Sequence, residues 1–356
     1  MKKQYKLAIV LCGISYSALS CDLNNTQPIS TEIPSLLNDT RPRQVLVSNN
    51  VKSGLESPAA TLLMHNADNL MLIDSIDSWQ VLDEPVDSIV ADPVAVDFNY
   101  DGVADALYVV NRVGLLWFIR VTASGFATPK LIADFRSSGY SFEQPLQLVQ
   151  FSNGGKGGMQ NRQVMLLLVA QTIRDGDVLM ALHHQEFDSS TISFNDLTDR
   201  TSISNDEQRY GVDEAVWQQI QQGAGWYIHL ERRVINAPKV YAGVVYFSAA
   251  VTSDVHADCT VAENSEQQLY AVHLHHAGLV YAKRNWIIEP IAKPELTVFI
   301  NDKAQLQLML QNDQKQVTVV DTMLTINELC VDCVEELDAG KFPHIIRLAT
   351  FQSEAY

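Results

Sequence analysis

From about Gln44 the chain alternates short apolar runs with turn-forming residues, and most of the runs are too short to be helices. Val45–Val47, Leu70–Ile73, Leu107–Val110, Leu115–Val121, Leu146–Phe151, Val164–Ala170, Val178–His183, Val240–Ser248, Gln268–His275, Thr297–Ile300, Leu306–Leu310 and Val317–Val320 combine β-branched, aromatic or alternating apolar residues between turn formers. Each run predicts a strand. Only Val212–Gln222 and Ile326–Leu337 read as helices, so the pattern predicts a mainly β chain with few short helices. So many strands over one undivided stretch, 44–356, exceed an ordinary sandwich, and closure into a β-propeller disposes of them without a long bare edge. A propeller is the expected architecture. Leu179-Met-Ala-Leu-His183 and Leu269-Tyr-Ala-Val-His273 echo one another, as do Leu70–Asp74 and Leu107–Asn111, but at uneven spacing.

The part ahead of these strands has a different character. Lys2, Lys3 and Lys6, the apolar run Leu7–Leu19 and the small residues before Cys21 read as an export signal over residues 1–20. Cys21 leaves two readings open: plain cleavage, or a lipoprotein-type anchor, whose usual leucine three residues ahead is here Ala18. Residues 21–43, rich in Asn, Thr, Ser and Pro, read as a tether. The expected location is therefore outside the cytoplasm, with membrane attachment only through the signal or lipidation.

A formal charge of −17 makes nucleic acid and anionic lipid poor partners. In an oxidising compartment Cys330-Val-Asp-Cys333 reads first as a local disulfide or as a partner for Cys259. Redox and zinc roles are the weaker alternatives, because Asp332, Glu335 and Glu336 disfavour a thiolate and zinc would need two further ligands.

One segment carries a ligand pattern. Asp97-Phe-Asn99-Tyr-Asp101-Gly102-Val103-Ala-Asp105 has oxygen-bearing side chains at positions one, three, five and nine, with glycine at six. Calcium takes hard oxygen ligands from a tightly curled loop, and the Val103 carbonyl completes the set at position seven. Position twelve is Tyr108, where a helix–loop–helix site would have Glu, and both flanks read as strands. This predicts a Ca²⁺ loop between two strands formed by Asp97, Asn99, Asp101, Val103 and Asp105, with an affinity of about 10⁻⁴ M or weaker. The competing reading is a metal-free turn, since Asp, Asn and Gly also make good turns.

The loop runs on into Ala106–Asn111, Gly114 and Trp117-Phe118, and a second block follows at Gly225-Trp-Tyr227, Glu231-Arg-Arg-Val234, Pro238, Val244–Phe247, Cys259 and Leu269-Tyr-Ala271. Over roughly residues 45–290 this order resembles the C-terminal domain of PilY-type type IV pilus biogenesis and tip-associated proteins. The resemblance implies a distorted, quinoprotein-like β-propeller acting with minor pilins or pilus tip components in pilus assembly and surface attachment, in the periplasm, pilus or cell surface of a Gram-negative bacterium, with calcium in the Asp97–Asp105 loop modulating it. This chain lacks the family's large N-terminal region, has Asn111 where an Asp is common, and has Ala170-Gln-Thr where Gly-Thr-Gly is expected.

Catalytic motifs are missing. There is no Gly-x-Ser-x-Gly elbow, no Gly-Lys-Ser/Thr phosphate loop and no His-Glu-x-x-His helix. Gly154–Gly158 reads as a hairpin loop, and Trp117, Trp226 and Tyr246 as core. Glu231, Arg232 and Arg233 read as a solvated strand start or an Arg–Glu pair, and Asp74, Asp77 and Asp83 are isolated carboxylates. His273, His275 and His276 form the densest histidine group, read first as surface histidines and second as the start of a metal site. A quinone-dependent dehydrogenase would use adjacent cysteines, which the chain does not have. The expectation is a non-enzymatic exported scaffold or adhesin; the alternative is an independent surface module binding protein or carbohydrate, with no pilus role.

Overall fold

The computed structural model describes residues 30–35, 43–49, 60–79, 87–152, 162–172, 176–186, 190–252, 255, 262, 265–303, 305–321 and 323. The export signal, Cys21, Cys259, Cys330, Cys333, Asp83, the 154–158 glycine run and the helix expected at Ile326–Leu337 lie outside the described residues.

Five sheets follow one another along the chain. The first is β1 (Ser30–Ser35), β2 (Arg43–Asn49), β3 (Leu62–Asn66) and β4 (Leu72–Ile76) in that order. The second runs β5 (Val94–Val96), β6 (Ala106–Val110), β7 (Leu115–Thr122) and β9 (Lys130–Asp134), with β8 (Gly125–Phe126) folded back on β7 and β13 (Ile192–Ser193) added in parallel to β9. The third contains β10 (Gln147–Ser152), β11 (Arg162–Ala170), β12 (Val178–His184), β15 (Gly225–His229) and β14 (Thr198–Asp199). The fourth contains β16 (Arg233–Val234), β17 (Lys239–Tyr241), β18 (Val244–Ala250), β19 (Gln267–His273) and β20 (Asn285–Ile288), and the fifth β21 (Glu295–Ile300), β22 (Leu306–Gln311) and β23 (Gln316–Val320). The two described α-helices, α1 (Asn205–Tyr210) and α2 (Glu214–Gln222), both precede β15.

The strands read as unbroken apolar runs because their two faces serve different cores. On β6, Leu107 and Val109 pack toward the first sheet, while Ala106, Tyr108 and Val110 pack toward the third. On β11, Val164, Leu166 and Leu168 turn to the second sheet, and Met165, Leu167 and Val169 to the fourth. Strand β18 divides in the same way, with Val245 and Phe247 against the third sheet and Val244 and Tyr246 against the fifth. The sheets therefore stack face to face in chain order, with a core between each successive pair.

The opening strands of the first three sheets lie side by side. Thr31 Oγ1 donates to Pro93 O at 3.0 Å, the Ala104 N–H donates to Pro34 O at 3.0 Å, and Gln150 Nε2 donates to Asp97 O at 2.8 Å. This is a mainly β, distorted β-propeller. Among the described residues no core cluster joins the fifth sheet to the first.

Several local expectations are corrected. Ser30–Ser35, within the stretch read as a tether, is a strand paired with β2, and Ile33 in it is buried. Strand β3 carries no clean alternation and was not expected; β4 begins later than read, leaving Leu70 and Met71 exposed on the hairpin tip. The Val240–Ser248 run is two strands, because Ala242 and Gly243 both adopt positive φ (48° and 78°) and reverse the chain. The helix expected at Val212–Gln222 begins at Glu214, where the Asp213 carboxylate caps it by accepting the Ala215 N–H at 2.8 Å.

Candidate metal centre

The Asp97–Asp105 segment connects β5 to β6, and the pairing of Val96 with Ala106 closes its base. Within it, side-chain oxygens accept the loop's own amide hydrogens. Asp97 Oδ1 accepts from Tyr100 at 2.6 Å and Asp101 at 3.3 Å, and its Oδ2 from Gly102 at 2.8 Å. Asn99 Oδ1 accepts from Asp101 at 2.8 Å, and Asp101 Oδ1 from Val103 at 2.9 Å. Asp105 Oδ2 accepts from Phe98 at 2.7 Å and Asn99 at 3.3 Å, and Asn99 Nδ2 lies 3.4 Å from Asp105 Oδ1. These bonds wind the chain into a tight coil. Gly102, at φ +86°, sits in the left-handed region that the coil requires, and Tyr100, at φ +59°, enters it with a half-exposed ring.

The coil is anchored on every side. The Val121 N–H donates to Asp105 O at 2.9 Å, and Gln150 and Pro34 tie it to the third and first sheets through the bonds given above. Phe98 and Val103 are buried, with Phe98 6.2 Å from Phe118. Burial pushes the Asp105 carboxyl up from its ordinary value, helped by the charges of Asp97 and Asp101 and opposed by the Phe98 and Asn99 amides.

The residues fit a hard cation by donor type and by spacing along the loop. A carboxylate has about four lone-pair sites. Asp97 and Asp105 each use three of them on amides, and Asp101 one. Among the described residues, however, no three His, Cys, Asp or Glu side chains are grouped so as to hold a metal ion. The loop is wound, with its carboxylates turned onto amides.

The histidines form a group of another kind. His273 and His276 stack with ring centroids 3.8 Å apart, His275 lies 5.8 Å from His273, and His183 from β12 joins them around Phe151. They are half-buried, not the surface residues expected. The Nδ1 atoms of His273 and His276 accept amide hydrogens, so neither can turn to a metal without losing a backbone bond.

The aromatic expectations hold: Trp117, Trp226 and Tyr246 are buried. Trp226 Nε1 donates to Leu274 O at 2.9 Å, joining the third sheet to the turn after β19. Arg232 pairs with Glu266 at 2.5 Å, not with Glu231. Arg233 lies 4.0 Å from Asp177, a carboxylate the sequence reading passed over. Asp177 is fully buried, its Oδ2 accepts the Val234 N–H at 2.8 Å, and burial raises its pKa to about 6. Its sequence signal was a single carboxylate directly ahead of the apolar run Val178–His183. Asp74 is structural, accepting the Phe126 N–H at 2.7 Å. Strands β10 and β11, on either side of residues 153–161, pair antiparallel.

No protein-family model and no curated protein matches this chain. Solved structures similar to it include the Dos1 propeller, at 8% identity and TM-score 0.41 over 78% of this chain and 52% of that one. The WD40 domain of SCAP from fission yeast is 10% identical with TM-score 0.33, over 85% and 54%. An endo-arabinase from Bacteroides thetaiotaomicron VPI-5482 is 13% identical with TM-score 0.31, over 83% and 95%. The chain spans about half the length of the first two.

Proposed function

We propose that this chain is a non-enzymatic exported scaffold or adhesin of the type IV pilus, assisting pilus assembly or surface attachment together with minor pilins or tip components, and that Ca²⁺ bound by the Asp97–Asp105 loop modulates it. The observation that carries the metal part is the wiring of that loop. The oxygens at positions one, three, five and nine all accept amide hydrogens of the same short coil, which keeps hard donors along one turn of chain, from which an ion would have to draw them together. Asp97, Asn99, Asp101 and Asp105 would bind through side chains and Val103 through its carbonyl. Bringing three carboxylates together costs repulsion that a divalent ion removes, so the ion would tighten the connection between the first three sheets.

The pilus part rests on the resemblance of the Asp97–Phe118 and Gly225–Ala271 blocks. Those blocks occupy the second sheet and the seam of the third and fourth sheets, where Trp117 and Trp226 pack. A structural position of that kind suits a binding scaffold, in which sheets present loops and the buried tryptophans hold the sheets in place.

Calorimetry on the exported chain tests the metal, with millimolar Ca²⁺ expected to give binding heat that Asp101→Ala, Asp105→Ala abolishes. Co-purification with pilins and a twitching assay test the role. If the double variant supports normal twitching and no pilin co-purifies, the pilus reading fails and an independent surface-binding module remains.

A further inference from the structure

The turn after β19 is built on two imidazole acceptors. His273 Nδ1 accepts the N–H of His275 at 3.2 Å, and His276 Nδ1 accepts the N–H of Gly278 at 3.1 Å. A neutral imidazole has one nitrogen able to accept, and in both rings the backbone has claimed Nδ1, so the hydrogen resides on Nε2. An imidazolium has no acceptor at all. A proton on either ring therefore sets two N–H groups against each other, and protons on both set two like charges in rings stacked 3.8 Å apart at an interplanar angle of 12°.

The carbonyls of this turn hold neighbouring sheets together. Leu274 O accepts Trp226 Nε1 from β15, and His276 O accepts Arg200 Nε, just after β14, at 2.9 Å. Arg284, ahead of β20, returns the contact by donating to Arg200 O at 2.7 Å. Leu274 and Ala277 are buried in the core shared by the third and fourth sheets. The turn thus clasps those sheets at the end where β12 finishes.

The group is short of stabilising charge. His183 faces it from β12, His275 from the turn itself, and Arg200 and Arg284 add positive charge; Glu207 from α1 is paired to Arg200. Phe151 and Trp217 supply the uncharged walls. Burial first, and the neighbouring positive groups second, hold His183 at about 4, His273 at about 3 and His276 at about 4.

We infer that the His273–His276 turn is an acid-opened latch: proton uptake at Nδ1 of either ring releases residues 274–278 and frees the third sheet from the fourth at that end. The latch stays shut at neutral pH, and opening it uncovers the apolar surface around Trp226. An exported chain meets external pH directly, so this seam would respond before the rest of the fold.

The test uses the whole exported chain and the H273N/H276N double variant. Asn Oδ1 accepts an amide two residues on, as Nδ1 does here, but does not titrate. Hydrogen exchange is followed from pH 7 to 4.5, corrected for the intrinsic pH dependence of exchange. Amides 274–278 of the natural chain should lose at least about tenfold in protection relative to β6 and β7, since each proton taken up on opening is worth about tenfold per pH unit. The double variant should hold its protection. Unchanged protection in the natural chain, or equal loosening in the variant, overturns the latch. Should the variant not fold, NMR titration of the natural chain decides. Imidazoles 273 and 276 titrating below about pH 5, together with loss of the Trp226 indole N–H, support the latch, and titration near 6.5 without that loss overturns it.

Discussion

The side-chain amide of Gln150, on β10, donates to the main-chain carbonyl of Asp97 at 2.8 Å, so the first residue of the candidate calcium loop is held by the neighbouring sheet. Gln150→Ala leaves that carbonyl without its partner at a nearly buried site, and the cost is about 1–3 kcal/mol. Urea unfolding should register that loss, and calorimetry should find calcium bound more weakly. Weakened calcium binding with unchanged stability would mean that Gln150 only orients the loop.

Burial first, and its acidic neighbours second, make the Asp105 carboxyl harder to ionise than an ordinary aspartate. In Asp105→Asn the amide oxygen can still accept from Phe98 while the charge is gone. The metal-free melting temperature should stay level or rise, and the rise on adding Ca²⁺ should disappear. A variant that melts lower without calcium and still responds to it would remove Asp105 from the ligand set.

Trp226→Phe removes the bond to Leu274 O and part of a fully buried ring. The expected loss is about 2–4 kcal/mol in chemical unfolding, from an unpaired carbonyl together with a cavity. A loss under about 0.5 kcal/mol would show that the seam of the third and fourth sheets relaxes around the smaller ring.

Gly225 holds φ +132°, and a Cβ there would lie 1.9 Å from Ala181 O across the β12–β15 ladder. Backbone cannot withdraw as a side chain can, so Gly225→Ala should cost about 3 kcal/mol or more and yield largely insoluble protein on expression. Soluble expression at the natural level would contradict the close approach.

Acid should weaken the fold well before most carboxylates protonate. The unfolded chain's histidines take up protons near pH 6.5, whereas His183, His273 and His276 resist until about 3–4 in the fold. Their stabilising effect is complete above pH 6.5 and is lost as pH falls below it. Asp177, raised to about 6, works in the opposite sense, since its protonated folded form gains as pH falls from 6 toward 3.8. Three histidines outweigh one aspartate, and stability should drop by about 2–4 kcal/mol between pH 7 and pH 5. Urea midpoints at the two pH values measure this, and equal midpoints would refute it.

Much of the strand content was legible because β6, β11, β12, β18 and β19 are apolar on both faces, a pattern that holds wherever the chain pairs. Strand β1 was not, since Ser30–Ser35 has Pro34 and little alternation and is a strand only because β2 pairs with it. The loop's donors were legible in order, as Asx-turn chemistry is local. Asp177 and the histidine turn were not, because burial, which raises the one and depresses the other, comes from sheets distant in sequence.

The sequence by itself determined that the chain is mainly β and that Asp97–Asp105 curls around inward-turned oxygens, because pleat periodicity and side-chain-to-amide bonds act over a few residues. Tertiary structure alone decided which face of each strand meets which sheet, that Gln150 and Pro34 anchor the loop, and that His183 and His275 come together around Phe151. Those contacts join residues tens of positions apart, and only the stacking of the sheets in chain order brings them together.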